Sequence, residues 1–326
     1  MIITRAPFRV SFCGGGSDLP SFYEKYSGCV LSTTIRKYVY LTISKAFLKD
    51  TITLKYSQTE VVTDPDQIQH RIFRQVLKDF GTTGIEITSI ADIPAGTGLG
   101  SSSSFTVALL KLLYTYNEQF ASDYKIAKEA CDIEINQLGN PIGKQDQFAA
   151  AFGGLRYYEF MPDGFVKIEP VIMRSSSYRR LESSMMMFYT GALHDANKIL
   201  GEQSRNLATE NSKINATLRL CEMTRDLKKH FEQNDVDFLG ETLAQSWELK
   251  KSLASGITSP LIDDANARGM AAGAKGGKLL GAGGGGFLLF YVPEEADRNR
   301  VRGALHDLVE LPVELDNSGV SIIFTN

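Results

Sequence analysis

Cysteine and histidine are scarce in this chain of 326 residues, and the few present are scattered. Cys13, Cys29, Cys131 and Cys221 form no C-x-x-C pair, so neither a disulfide framework nor a zinc site is implied. His70, His194, His230 and His306 are just as dispersed, which removes the usual metal constellations. A basic surplus is also missing: 35 Lys and Arg stand against 38 Asp and Glu, a net charge of −3. No overall field draws the protein to nucleic acid or a membrane surface, so any phosphate chemistry must be local. Long apolar runs are absent as well. The longest uncharged stretch, Ile93 to Leu110, is full of Gly, Ser and Thr, whereas a membrane helix needs about 20 mostly apolar residues. Arg5 and Arg9 interrupt the first ten residues, which do not read as a signal peptide. The expectation is a soluble, cytoplasmic protein with reduced thiols.

Hydrophobic residues at 43% and charged residues at 22% suit a folded globular chain. At ~150 residues per domain the length suggests about two domains. Glycine is the informative residue. Thirteen of the 29 glycines fall in three short windows, Gly14 to Gly16, Gly96 to Gly100 and Gly276 to Gly286. Ordinary turns need one or two each; clusters let backbone N–H groups approach a ligand closely, and phosphate is the commonest such ligand.

Around these windows, 2–12, 38–46, 51–56 and 84–90 read as strands. Apolar spacing predicts helices over 68–80, from the serine run to 120, and from a Ser122 cap to about Leu138. Short strands follow at 155–160, 165–169 and 185–189. The second half is more helical, with faces traced by Ile214, Leu218, Cys221, Leu227 and Phe231 and by Phe238, Leu243 and Trp247. Ser259 before Pro260 is a helix start. The runs 287–292 and 320–324 read as buried strands flanking a helix near 294–308. Patterning lapses over 163–180, which sets a division into 1–170 and 171–326 within an α+β fold of two packed lobes.

The central motif is PAGTGLGSSSS, Pro94 to Ser104. A glycine-rich loop running into a helix offers free N–H groups and the positive end of the helix dipole. No Lys follows the glycines, so it is not a P-loop. The bland alternative is a flexible loop capped by serine. The motif resembles the second signature of the GHMP (galactokinase, homoserine kinase, mevalonate kinase, phosphomevalonate kinase) superfamily. RAPFRVSFCGGGSDLP, from Arg5, and KLLGAGGGGFLLF, from Lys278, resemble its first and third signatures in the right order. Within it, GGGSDLP in place of the galactokinase GEHTDY is similar to D-glycero-D-manno-heptose-7-phosphate kinases. So are the stretches Ile35 to Tyr40 and Phe188 to Gln203, although His194 stands where those kinases usually have Arg.

The resemblance implies a mixed α/β N-terminal lobe, a ferredoxin-like C-terminal lobe, and ATP with Mg²⁺ meeting a small sugar phosphate between them. It assigns ATP to Pro94, Gly96, Thr97, Gly98, Leu99, Gly100, Ser101, Ser102 and Ser103. Asp146, in GKQDQF, takes the catalytic aspartate's position, where a carboxylate can accept the acceptor's proton; its alternative is a helix cap. Arg9 would keep that carboxylate ionised, its alternative being an exposed strand charge. Glu134 interrupts the stripe Ala127, Cys131, Leu138, which is costly without a cation. Resemblance to mevalonate kinases makes it a Mg²⁺ ligand with Ser102; otherwise it partners a Lys or Arg. Gly15, Gly16, Ser17, Asp18, Gly283 and Gly284 are assigned to the acceptor, with Gly15 and Gly16 leaving room for a bulky sugar. A distal phosphate needs cations, and two or more of Arg36, Lys37, Arg174, Arg179, Arg180, Lys198 and Arg205 are expected in the cleft. A fucose-type or mevalonate-pathway kinase, or a non-catalytic sensor on the same fold, stays open.

Overall fold

The computed structural model describes residues 1–191 and 196–326. The first lobe is built on β1 (Ile2–Cys13), β2 (Gly28–Lys45), β3 (Ile52–Lys55), β4 (Thr59–Val62), β5 (Ile85–Ala91), β6 (Arg156–Phe160) and β7 (Val166–Pro170). Its helices are α1 (Pro20–Tyr26), α2 (Arg71–Phe80), α3 (Ser101–Tyr116), α4 (Asp123–Cys131) and α5 (Gln145–Phe152). The long strand β2 is the hub: its later half lies between β1 and β5, and its earlier half pairs with β6, all antiparallel. The apolar run of α3 covers this sheet, pinned by Thr4 Oγ1 donating to the Ala108 carbonyl and Ser104 Oγ to that of Pro7.

The helix predicted to run from Ser122 to Leu138 changes character midway. The Ser122 hydroxyl caps it as expected, accepting from the Lys125 N–H. After Cys131 the backbone widens into a π turn over Asp132–Gln137, which contains Glu134. Such widenings are rare and occur frequently at functional sites.

The second lobe contains α6 (Ser175–Ser184), α7 (Ala196–Thr209), α8 (Asn211–Glu232), α9 (Phe238–Lys251), α10 (Pro260–Ala271) and α11 (Glu295–Ala304). Its strands are β8 (Met185–Tyr189), β9 (Gly276–Leu279), β10 (Phe287–Tyr291) and β11 (Val309–Leu311), paired antiparallel in the order β11-β8-β10-β9. The region 163–180, expected to lack regular structure, holds β7 and the start of α6 instead.

The end of the chain differs from expectation in two ways. β12 (Leu315–Asp316) pairs with β2, and β13 (Ser321–Thr325) pairs with β1. The lobes are therefore not the contiguous stretches 1–170 and 171–326, because the last strands complete the first sheet. β13 is also not a buried strand: it lies at the sheet edge, and Ile322, Ile323 and Phe324 are exposed. Alternation of apolar residues marks a strand but does not say how many of its faces are covered.

Helix α9 lies directly on β9 because both elements carry glycine at the contact. A Cβ on Gly276 would fall 1.9 Å from the Gly240 carbonyl oxygen. Gly276→Ala is therefore expected to push the two elements apart and cost about 1–3 kcal/mol, the usual range for overpacking. Urea unfolding at equilibrium measures it; a midpoint equal to that of the parent would show that the contact yields freely.

Candidate active site

Between the lobes lies a cavity of about 930 Å³. One wall is the glycine loop. Gly96, Gly98 and Gly100 all take positive φ (78°, 82° and 77°), alternating with L-residues so that successive N–H groups turn to one side. Gly100 precedes the first turn of α3 without any side-chain cap, leaving the amides of Ser101, Ser102 and Ser103 to an anion. Pro94, Gly96, Gly98, Gly100 and these three serines line the cavity. Thr97 and Leu99, expected to touch the nucleotide, lie outside the cavity lining. The Thr97 hydroxyl closes the turn onto the Pro94 carbonyl at 3.0 Å, and Leu99 points into the core.

Arg9 joins three elements. Its Nε and Nη2 donate to the two oxygens of Asp146 at 2.7 and 2.8 Å, and its Nη1 donates to the Gly98 carbonyl at 2.6 Å. The bidentate pair fixes the Asp146 carboxylate beside the loop, where a Cβ on Gly100 would lie 3.2 Å from it. Asp146 is not a helix cap, since α5 begins one residue earlier, at Gln145, with Lys144 in the capping position. Its carboxylate remains partly open to the cavity, as a proton acceptor must be.

Glu134 is fully buried, and its oxygens accept from Ser102 Oγ at 2.6 Å and from the Gln147 amide at 2.7 Å. Burial raises its pKa, partly offset by Ser102 and Gln147; no cation is among the groups that shift it. A buried carboxylate joined to a cavity-lining hydroxyl and lacking a cationic partner fits a hard divalent ion such as Mg²⁺.

On the acceptor side, Asp18 accepts from the N–H groups of Gly16 (2.9 Å) and Gln145 (3.1 Å), and burial followed by the Asp146 charge raises its pKa. Gly15, Gly16 and Asp18 line the cavity. The room expected above Gly16 is occupied, because a Cβ there would meet the Gln203 side-chain nitrogen at 2.1 Å; above Gly15 a Cβ would make only ordinary contacts, 3.6 Å from Gln145 Nε2. Ser17 lies outside the lining: its hydroxyl is within 2.8 and 2.9 Å of the Gly14 and Cys29 carbonyls and accepts from the Cys29 N–H at 2.9 Å. Gly283 and Gly284, assigned to the acceptor, do not line the cavity either. Both sit against Ile257, with the Gly284 N–H on the Ile257 carbonyl at 2.9 Å. The third signature instead braces the glycine loop, since a Cβ on Gly281 would lie 2.4 Å from the Cα of Gly98.

None of the seven cations expected near a distal phosphate lines the cavity. Arg36 pairs with Glu314, Arg180 pairs with Asp237, and Arg174, Arg179, Lys198 and Arg205 are exposed. His194 lies outside the described residues. Two cations that the sequence reading missed, Lys250 and Lys278, are buried and line the cavity. An aromatic end was missed too: the Tyr56 and His70 ring centroids are 5.0 Å apart, those of His70 and Phe105 5.1 Å, apolar walls suited to a flat base.

Burial pushes the Lys250 ammonium down to about 7, with the charges of Lys278 and Arg9 adding and those of Asp18 and Asp146 opposing. Lys278 falls to about 8 for the same first cause. The unfolded chain then holds more protons than the folded one above these values, so stability of the unliganded protein rises with pH. Cys221, lowered to about 7 chiefly by the Cys29 thiol, acts in the same sense. Between about pH 7 and about pH 8.5, below the usual lysine range, the melting temperature is expected to climb less in Lys250→Met than in the parent. Parallel slopes in scanning calorimetry would remove Lys250 from the account.

Comparison with known proteins agrees with this geometry. Residues 68–154 match the GHMP kinases N terminal domain, and residues 226–310 match the GHMP kinases C terminal domain. Over 313 residues, 92% of each chain, the protein is 28% identical to a D-glycero-alpha-D-manno-heptose 7-phosphate kinase of Campylobacter jejuni. It is 25% identical to a bifunctional fucokinase/GDP-fucose pyrophosphorylase of Arabidopsis thaliana, over 97% of this chain and 32% of that one. Its fold superposes on a D-glycero-D-manno-heptose 1-phosphate kinase from Bacteroides thetaiotaomicron with a TM-score of 0.82, at 26% identity over 100% of both chains. With both domains matched in order around one cavity, the chain belongs to the GHMP kinase family, whose members draw phosphate from ATP.

Proposed function

We propose that the protein is a sugar-phosphate kinase that phosphorylates the anomeric hydroxyl of D-glycero-D-manno-heptose 7-phosphate with ATP, giving the 1,7-bisphosphate. The observation that carries the reading is the Arg9–Asp146 pair held against the uncapped start of α3. The nucleotide's phosphates sit on the α3 amides, its base between Tyr56, His70 and Phe105. The anomeric oxygen attacks the γ-phosphorus, the bond from γ-phosphorus to the β–γ bridging oxygen breaks, and ADP leaves. The hydroxyl proton passes to Asp146, which Arg9 holds in line. Arg9 also places positive charge beside the transferring group. Glu134 and Ser102 would hold Mg²⁺, which when bound neutralises charge on the phosphate oxygens.

The choice of sugar draws on the GGGSDLP sequence and on the names of two similar proteins, which place the substrate's phosphate at position 7 in one and position 1 in the other. An ADP-release screen across galactose, fucose, mannose, mevalonate, homoserine and the two heptose phosphates separates these readings. Heptose 7-phosphate is expected to give the highest kcat/KM, and a higher value for any other acceptor reassigns the substrate.

Asp146→Asn is expected to lower kcat by ~10²–10⁴-fold, the contribution of a positioned general base, while calorimetry shows near-parental ATP affinity. A variant that keeps most of its turnover excludes Asp146 as the proton acceptor. Glu134→Gln keeps the shape but removes the charge, and one of the two acceptor oxygens becomes an NH2 donor. It is expected to raise the Mg²⁺ concentration for half-maximal rate about tenfold or more, and an unchanged Mg²⁺ titration would refute the ligand role.

A further inference from the structure

Beside the acceptor loop lie two ammonium groups that the transfer chemistry leaves unused. Lys250 of α9 and Lys278 of β9 are only 8% and 4% exposed, yet both line the cavity. The glycine contact between α9 and β9 brings their elements together, and Lys250 feels the charge of Lys278. Their hydrogen-bond partners are main-chain carbonyls. Lys278 Nζ donates to Ser11 at 3.3 Å and to Phe12 at 3.0 Å, and Lys250 Nζ donates to Gly281. An ammonium has three N–H donors, so one is left on Lys278 and two on Lys250. Burying such charge without a paired anion is costly, and for Lys250 the charges of Asp18 and Asp146 offset only part of that cost.

Two neutral groups at the same end are also unsatisfied. Ser11 Oγ and Gln203 Nε2 are buried, line the cavity and have no hydrogen-bond partner among the described residues. Both flank the acceptor turn: a Cβ on Gly15 would lie 3.9 Å from Ser11 Oγ, and one on Gly16 would lie 2.1 Å from Gln203 Nε2. Ser11, Gln203 and Lys278 thus gather beside the Gly14–Gly16 turn, while Lys250, on the Gly281 carbonyl, reaches the cavity from the side of the glycine loop.

We propose that Lys250, Lys278, Ser11 and Gln203 form the subsite for a phosphate monoester carried by the acceptor, an inference that rests on the sugar-phosphate reading above. A phosphate monoester brings a charge of about −1.5 to −2 and three strong acceptor oxygens. Two ammonium groups and two neutral donors match it in charge and in number. An acceptor without the phosphate leaves both lysines bare, so the subsite selects by penalising the wrong sugar as well as by attracting the right one.

The test uses Lys250→Met and Lys278→Met in the full chain, with ADP saturating so that the α3 amides are occupied. Inorganic phosphate is expected to raise the melting temperature of the parent and to lose that effect in each variant. The ratio of kcat/KM for heptose 7-phosphate to that for the unphosphorylated heptose is expected to fall by about 30-fold or more, the cost of unpairing a buried charge. The Kd for ADP is expected to stay within about threefold. Weakening of ADP as large as that of phosphate would assign the lysines to the nucleotide and overturn the proposal. Turnover of heptose 7-phosphate with an unmoved ratio would keep the substrate reading and sink the subsite. A parent that prefers unphosphorylated sugar, yet loses phosphate stabilisation in both variants, would do the reverse.

Discussion

The ion pair between Arg9 and Asp146 organises this protein. Arg9 is rooted in β1, Asp146 in the first turn of α5, and the remaining guanidinium donor holds the Gly98 carbonyl. Three segments distant in sequence are thereby referred to a single planar group. Guanidinium suits the task because its fork is rigid and keeps its charge when buried; an ammonium would fix neither the angle nor the second contact. The Arg9 N–H on the Leu99 carbonyl at 3.1 Å adds a main-chain tie between β1 and the same loop.

What the pair organises is kept close by missing side chains. The glycine loop touches the third signature backbone to backbone at Gly98 and Gly281, and α9 meets β9 in the same way at Gly240 and Gly276. These contacts tie the glycine loop to the third signature, and the two lysine-bearing elements to each other, without intervening side chains that could repack. Their rigidity lets a few buried charges be held in a dry cleft with their separations fixed.

Much of the site was legible because its residues violate local expectations. A serine run after spaced glycines, an aspartate after G-K-Q and a glutamate within an apolar stripe each cost something unless they have work to do. Lys250 carried the same kind of signal. It follows Leu243 and Trp247 on one face of α9, a cation extending an apolar stripe as Glu134 does. Next to Lys251 it reads instead as part of a solvated helix end. Lys278 was hidden differently, since a four-residue strand with every residue buried gives no alternation to betray it. Thr97, Leu99, Ser17, Gly283 and Gly284 lie outside the cavity lining: a motif marks the segment that forms a site. It does not say which residues face the ligand and which hold the turn. The π turn at Glu134 and the sheet joined by the last strands depend on tertiary packing, to which local periodicity is blind.

The return of β12 and β13 to the first sheet has a consequence for how that sheet is closed. The strands that cover β1 and β2 are separated from them in sequence by the whole of the second lobe, so their pairing is among the least local contacts of the fold. Without β13 the outer edge of β1 would be unpaired, a template for a second copy of the chain. Loss of that pairing would open the first sheet at its edge while leaving the four strands of the second lobe paired among themselves.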